Sequence, residues 1–185
     1  FVVFRKPAGT PQENVRNFQR PKAGAAIDGP WTVSFDPKWG GPEKVTFDKF
    51  EDWSQRPEPG IKHYSGKAVY RTTFDASGDA PEGRVLLSLG EVKNMASVRL
   101  NGTDLGVAWC APWRLEIPEG LLRPQGNELE ITVANLWINR LIGDSALPKR
   151  KRLTWSTLTP FRPDSPLEPS GLLGPVEVMG GEMIE

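Results

Sequence analysis

Nineteen Gly and 18 Pro are spread through a chain of 185 residues, and that punctuation constrains the fold more than any other feature. The longest stretch free of both, residues 127–142, holds 16 residues. Gly weakens a helix through its backbone entropy, and Pro removes an amide donor. Long helices are thereby excluded, and short strands joined by turns are left. No run of 18 apolar residues occurs, which excludes a transmembrane helix. Apolar residues make up a modest 38%, yet seven Trp and eight Phe bury a large area each, enough for a real core.

Between the punctuation marks the apolar residues alternate. Trp31, Val33 and Phe35 take every second position, and so do Val45 and Phe47. The pattern returns at Ala68, Tyr70, Thr72 and Phe74, at Val85, Leu87 and Leu89, and at Val98 and Leu100. Asn101-Gly102 then supplies a pair suited to positive φ in a tight hairpin, with Leu105 and Val107 on the return strand. Leu115 and Ile117, then Leu129, Ile131 and Val133, and finally Val176 and Val178 complete the series. Period-2 alternation over roughly ten short segments reads as antiparallel strands with one face buried. The expected fold is all-β: an antiparallel jelly-roll β-sandwich with little helix. Helical turns are expected at residues 50–55 and near 119–122. Residues 136–169 alternate least and are expected to form long loops at one end, where binding sites tend to sit.

Charge and cysteine exclude several function classes. Twenty-three basic and 23 acidic residues cancel, so no whole-domain field draws the chain to nucleic acid or to an anionic membrane. The basic run Lys149-Arg150-Lys151-Arg152 lies in a Pro-bounded loop without aromatic interleaving and reads as a solvated loop, able at most to attract an anionic polysaccharide. The one Cys, Cys110, has no internal disulfide partner, and zinc-ligand spacing is absent. His63 is the only His, which excludes a multi-histidine metal site. The opening Phe1-Val2-Val3-Phe4 reads as a strand carried over from a preceding domain, so residues 1–26 are expected to be strand and linker and residues 27–185 the sandwich.

Six strings in order carry a resemblance: GPWTVSFDP at 29–37, HYSGKAVYRTTF at 63–74, LSLGEVKNMASVRLNGTDLG at 87–106, APWRLEI at 111–117, GNELEITVANLWINRLIGD at 126–144 and SPLEPSGLLGPVEV at 165–178. Together they resemble the galactose-binding-like, "sugar-binding" β-sandwich of family 2-type glycoside hydrolases, and most closely the C-terminal region of bacterial α-L-rhamnosidases of glycoside hydrolase family 106. The resemblance implies an accessory module whose parent enzyme keeps its catalytic carboxylates on a separate barrel. It implies a saccharide or polysaccharide ligand, the parent's catalytic domain as partner, no required cofactor, and a secreted or periplasmic setting. Such sandwiches often hold a structural calcium, for which the sequence assigns no ligands. Those modules usually carry Asp-Ile-Thr where this chain has Glu116-Ile117-Pro118.

Saccharide recognition needs a flat apolar platform with hydrogen-bonding groups beside it. Trp109, Trp113, Trp137 and Trp155 lie at strand ends or in the weakly alternating segment, with Asn139, Arg140 and Asp144 among them. These seven residues are the candidate carbohydrate-binding face. Each has a second reading: the Trp side chains close the end of the sandwich, and Arg140 pairs with Asp144 to hold a loop. A third possibility, independent hydrolase or lyase chemistry on His63-Tyr64, rests on one His and two Tyr.

Overall fold

The computed structural model describes residues 22–76, 84–158 and 160–181, so the reading of Phe1–Phe4 as a strand lies outside the described residues. Twelve strands run in chain order: β1 Lys22–Ala26, β2 Trp31–Phe35, β3 Val45–Phe47, β4 Lys67–Phe74, β5 Arg84–Ser88 and β6 Glu91–Lys93. They continue as β7 Met95–Leu100, β8 Thr103–Ala108, β9 Arg114–Ile117, β10 Asn127–Ala134, β11 Gly171–Gly174 and β12 Glu177–Gly181. A six-stranded sheet has the order β3-β2-β4-β10-β7-β8, a four-stranded sheet the order β1-β12-β5-β9, and β11 pairs with β6. Every strand-to-strand ladder is antiparallel. The chain passes directly between the two large sheets at β1–β2, β4–β5, β8–β9 and β9–β10, the crossing pattern of a jelly-roll sandwich.

The alternation seen in the sequence sets which face is buried. In β10 Asn127, Leu129, Ile131 and Val133 are buried while their neighbours are not, and β2 buries Trp31, Val33 and Phe35. Opposite them, Leu87, Ile117 and Val178 of the smaller sheet complete the core together with Leu89, Val92 and Leu172. One end of the core is aromatic. Phe35 makes edge-on contacts with Trp53 at 5.2 Å and with Tyr64 at 4.8 Å between ring centroids, and Trp53 stacks on Tyr70 at 12° between ring planes. Two of the buried polar tips are matched, since Trp53 Nε1 donates to the Tyr70 hydroxyl at 2.6 Å and that oxygen also accepts the Leu172 amide at 3.3 Å, while Trp31 Nε1 is buried without a partner. Burial away from water pushes the Tyr70 pKa up, so the hydroxyl stays neutral.

The hairpin β7–β8 forms as its turn pair requires, with Asn101 at φ 50° and Gly102 at φ 81°. The helical turn expected at residues 50–55 is a 3₁₀ turn at Trp53–Gln55, opened by Asp52 accepting the Ser54 amide at 2.9 Å. Near 119–122 the chain makes a turn closed by Leu121 N–H to the Pro118 carbonyl. Two differences stand out. Residues 22–26, placed in the linker by composition, are strand β1, which pairs along β12 although residues 24–26 are solvent-exposed. A strand held by backbone hydrogen bonds alone needs no alternation, so the sequence pattern passes over it. The second difference is helical. Besides α1, Pro59–Lys62, a two-turn helix α2 occupies Ile138–Ser145 inside the segment expected to be loop.

Candidate functional site at the end of the sandwich

Strand β8 ends at 108, β9 begins at 114 and β10 ends at 134, and the register Met95↔Ala134 and Ala96↔Ala108 puts these termini at one end of the sandwich. Trp109, Trp113 and Trp137 therefore flank strand ends on one side of the sandwich. Their surroundings differ. Trp109 is 71% exposed at the tip of edge strand β8. Trp113 is half-buried against the core and donates its Nε1 to the Asn94 carbonyl at 3.4 Å. Trp137 packs edge-on against Trp39 at 4.9 Å and keeps 46% of its surface open.

The polar members of the candidate face are held inside it. Asn139 donates to the Glu168 carbonyl at 2.7 Å and to Ser170 Oγ at 3.1 Å, and accepts the Glu168 amide at 2.8 Å. This two-way amide clamp ties α2 to the segment leading into β11. The helix start is tied separately: Ser65 Oγ accepts the Arg140 amide at 3.1 Å and donates to the Leu136 carbonyl at 2.8 Å. Arg140 and Asp144, one turn apart on α2, form an ion pair at 2.9 Å with side chains only 8% and 3% exposed. Asp144 Oδ2 also accepts the amides of Leu153 and Thr154 and the Thr154 hydroxyl at 2.6–3.0 Å. Arg140 and Asp144 thus pair with each other, the second of their two readings, and a buried charge pair so bonded organises the loop over α2. Gly143 is what lets the pair form, since a Cβ there would run into the Arg140 guanidinium and the His63 ring.

His63 borders this pair. Its Nδ1 is buried without a partner, and burial, Arg140 and Lys62 push its pKa below the ordinary histidine value, against a weaker opposing bond to the Asn139 backbone. Tyr64 faces elsewhere: it is fully buried, donates its hydroxyl to the Lys67 carbonyl at 2.8 Å and accepts the Asp36 amide at 3.1 Å. The adjacent pair His63-Tyr64 is therefore divided between two structural environments. Glu116 meets Arg84 at 2.7 Å on the outer side of the smaller sheet.

The described residues form concave surfaces, two of which bear on the site. The broader, about 750 Å³, lies on the outer face of the six-stranded sheet, walled by residues 28–30. Register lines up Thr32, Arg71, Glu130, Arg99 and Asp104 across four strand pairs there, with Arg71 Nε donating to Glu130 at 2.8 Å. The smaller cavity, about 200 Å³, lies beside α2 and brings Asp144 and Trp155 together with Lys149, Arg152, Thr154 and Phe161. Of those six, only Asp144 and Trp155 belong to the candidate face read from sequence. The missed signal was spacing: Lys149 and Arg152 stand three apart, a separation that means nothing until that run is known to coil. Among the described residues no three His, Cys, Asp or Glu side chains are placed to hold a metal ion, and no helix is long and apolar enough to cross a membrane.

Comparison with known proteins gives this geometry its class. No protein-family model matches the chain. Rhamnosidase from Novosphingobium sp. PP1Y matches at 41% identity and TM-score 0.81, over 95% of this chain and 16% of that one. A candidate β-glucuronidase of Formosa agariphila is 35% identical, covering 82% of this chain and 15% of its own length. The β-glucuronidase of Ruminococcus gnavus, at 18% identity and TM-score 0.51, shares the fold alone. The chain thus spans about a sixth of the length of the rhamnosidase and of the Formosa agariphila protein. It is a β-sandwich module of the glycoside-hydrolase kind. Within that class it is a relative of rhamnosidase, as the order of its six sequence blocks implied.

Proposed function

We propose that the chain is a non-catalytic carbohydrate-binding or accessory module of a secreted or periplasmic rhamnosidase-like glycoside hydrolase acting on plant or algal polysaccharides. The observation that carries the reading is the contrast between tryptophans. Trp31 and Trp53 are fully buried, while Trp109, Trp137 and Trp155 are 71%, 46% and 86% exposed at loops and strand ends. An aromatic ring left in water forfeits a large burial area, and stacking on the apolar face of a sugar ring recovers it. The polar half of the candidate face, Asn139, Arg140 and Asp144, supports the reading indirectly by holding α2 and the loop that presents Trp155. The test is a glycan-array screen of this chain, repeated with calcium removed and with Trp155→Ala. Binding that is lost with Trp155 supports the reading, and a blank array overturns it.

A second reading, a scaffold packing on a catalytic barrel, is favoured by one feature. Val107 on edge strand β8, Trp109 just beyond it and Met95 at the start of the neighbouring strand β7 are exposed apolar side chains. Joining a recombinant barrel domain of a rhamnosidase to this chain, and finding tighter association lost on Val107→Asp without any glycan response, would favour the scaffold.

A further inference from the structure

The basic run Lys149–Arg152 takes no part in the reading above, yet its coiling gives it a direction. Residues Lys149–Lys151 form a 3₁₀ turn closed by the Arg152 amide on the Lys149 carbonyl. With three residues per turn, positions 149 and 152 fall on one side and the two between them on the others. That side is the 200 Å³ cavity beside α2, which Lys149 and Arg152 both line. Arg152 is fixed by its Nε donating to the Leu147 carbonyl at 3.0 Å, which leaves the two terminal nitrogens of its fork available. Among the described residues neither cation is paired with a carboxylate. The acid of the cavity, Asp144, is already neutralised by Arg140 and saturated on Oδ2 by Thr154 and Leu153. The cavity is therefore net cationic, and aromatic side chains, Trp155 and half-buried Phe161, line it beside the charges.

We propose that this cavity binds the negatively charged substituent of a single sugar ring, with Lys149 and Arg152 on the anion and Trp155 against the ring. The inference rests on the carbohydrate-binding reading and names the sugar class it would take. At about 200 Å³ the cavity is smaller than the roughly 300–1,000 Å³ of a drug-sized ligand site, which suits one ring rather than a chain. A planar guanidinium and an ammonium three residues apart match the oxygens of an anion, and charge-assisted bonds of this kind are about twice as strong as neutral ones. A carboxylate at C6 and a sulfate ester at C6 present the same chemistry, so both are covered by the proposal.

The experiment compares three probes on the full 185-residue chain by NMR or calorimetric titration: methyl β-glucuronoside, methyl β-glucoside and glucose 6-sulfate. The first two differ only at C6, a carboxylate in the one and a neutral hydroxymethyl in the other. Preference for either charged probe of about tenfold or more over the neutral glucoside is expected, weakening as salt rises. Lys149→Ala, at an exposed position, and Arg152→Gln should each remove about that preference, while Arg152→Lys retains part of it. Which charged probe wins identifies the anion. Equal binding of neutral and charged sugars, or a preference unchanged in Lys149→Ala, overturns this proposal and leaves the carbohydrate reading standing. No binding of any probe, together with a blank glycan array, overturns both.

Discussion

Arg140 Nη2 lies 2.9 Å from Asp144 Oδ1, one helical turn away, with both side chains almost wholly out of water. Arg140 Nε has no partner, so the pair and its Asp144 contacts to Thr154 and Leu153 carry the whole compensation for burial. Removing Asp144 leaves the Arg140 charge without a counter-ion, and removing Arg140 leaves Asp144 only its bonds from Leu153 and Thr154. Arg140→Ala and Asp144→Ala should each cost about 3–5 kcal/mol in denaturant unfolding, whereas replacing both together should cost less than the sum. Additive losses would show that the two residues act on separate partners.

Two tryptophans separate stability from recognition. Trp53 is fully buried and bonded to Tyr70, so Trp53→Ala should lower stability by about 3–5 kcal/mol. Trp155 is 86% exposed, and Trp155→Ala should change stability by no more than about 0.5 kcal/mol while abolishing any glycan response. A large stability loss at Trp155 would reassign it to the packing of the loop.

His63 should make the fold acid-sensitive. Burial and the neighbouring Arg140 and Lys62 hold its folded pKa below the ordinary 6.5, so the unfolded chain takes up the proton first. The stability it contributes is fully present above about 6.5 and is lost as pH falls through the folded value. Melting temperature should therefore drop between pH 7 and pH 5, and His63→Gln should flatten that slope. An unchanged slope in the variant would locate the acid sensitivity in other groups.

At the β7–β8 hairpin, Asn101 and Gly102 both sit at positive φ. A Cβ at Gly102 meets nothing within 4 Å, so Gly102→Ala probes backbone strain without a clash. The expected loss is about 1 kcal/mol, read from the midpoint of urea unfolding. Asn101→Ala should cost more, because the Asn101 amide also donates to the Leu121 carbonyl at 2.8 Å and accepts the Glu128 amide at 2.9 Å.

The strands were legible because burying one face imposes period 2 on the residues themselves, and β2, β4, β7 and β10 repeat in space what Trp31–Phe35, Ala68–Phe74, Val98–Leu100 and Leu129–Val133 show in order. The Asn101-Gly102 turn was legible for the same local reason: few residues accept its backbone angles. Helix α2 was not, because eight residues are too few to hold a helix without tertiary support, and its support comes from Ser65, 75 positions before Arg140, and from Glu168 and Ser170 beyond it. Strand β1 was not, because Lys22–Ala26 is held by the backbone of β12, some 150 residues away along the chain, and leaves no pattern in its side chains. The same division runs through the candidate face. Composition could place Trp, Arg and Asp in one segment, but whether Arg140 reaches a ligand or Asp144, and whether Lys149 and Arg152 share a cavity, depends on which atoms folding removes from water. Charge pairing and burial are properties of neighbours in space, and the tertiary structure alone selects those neighbours.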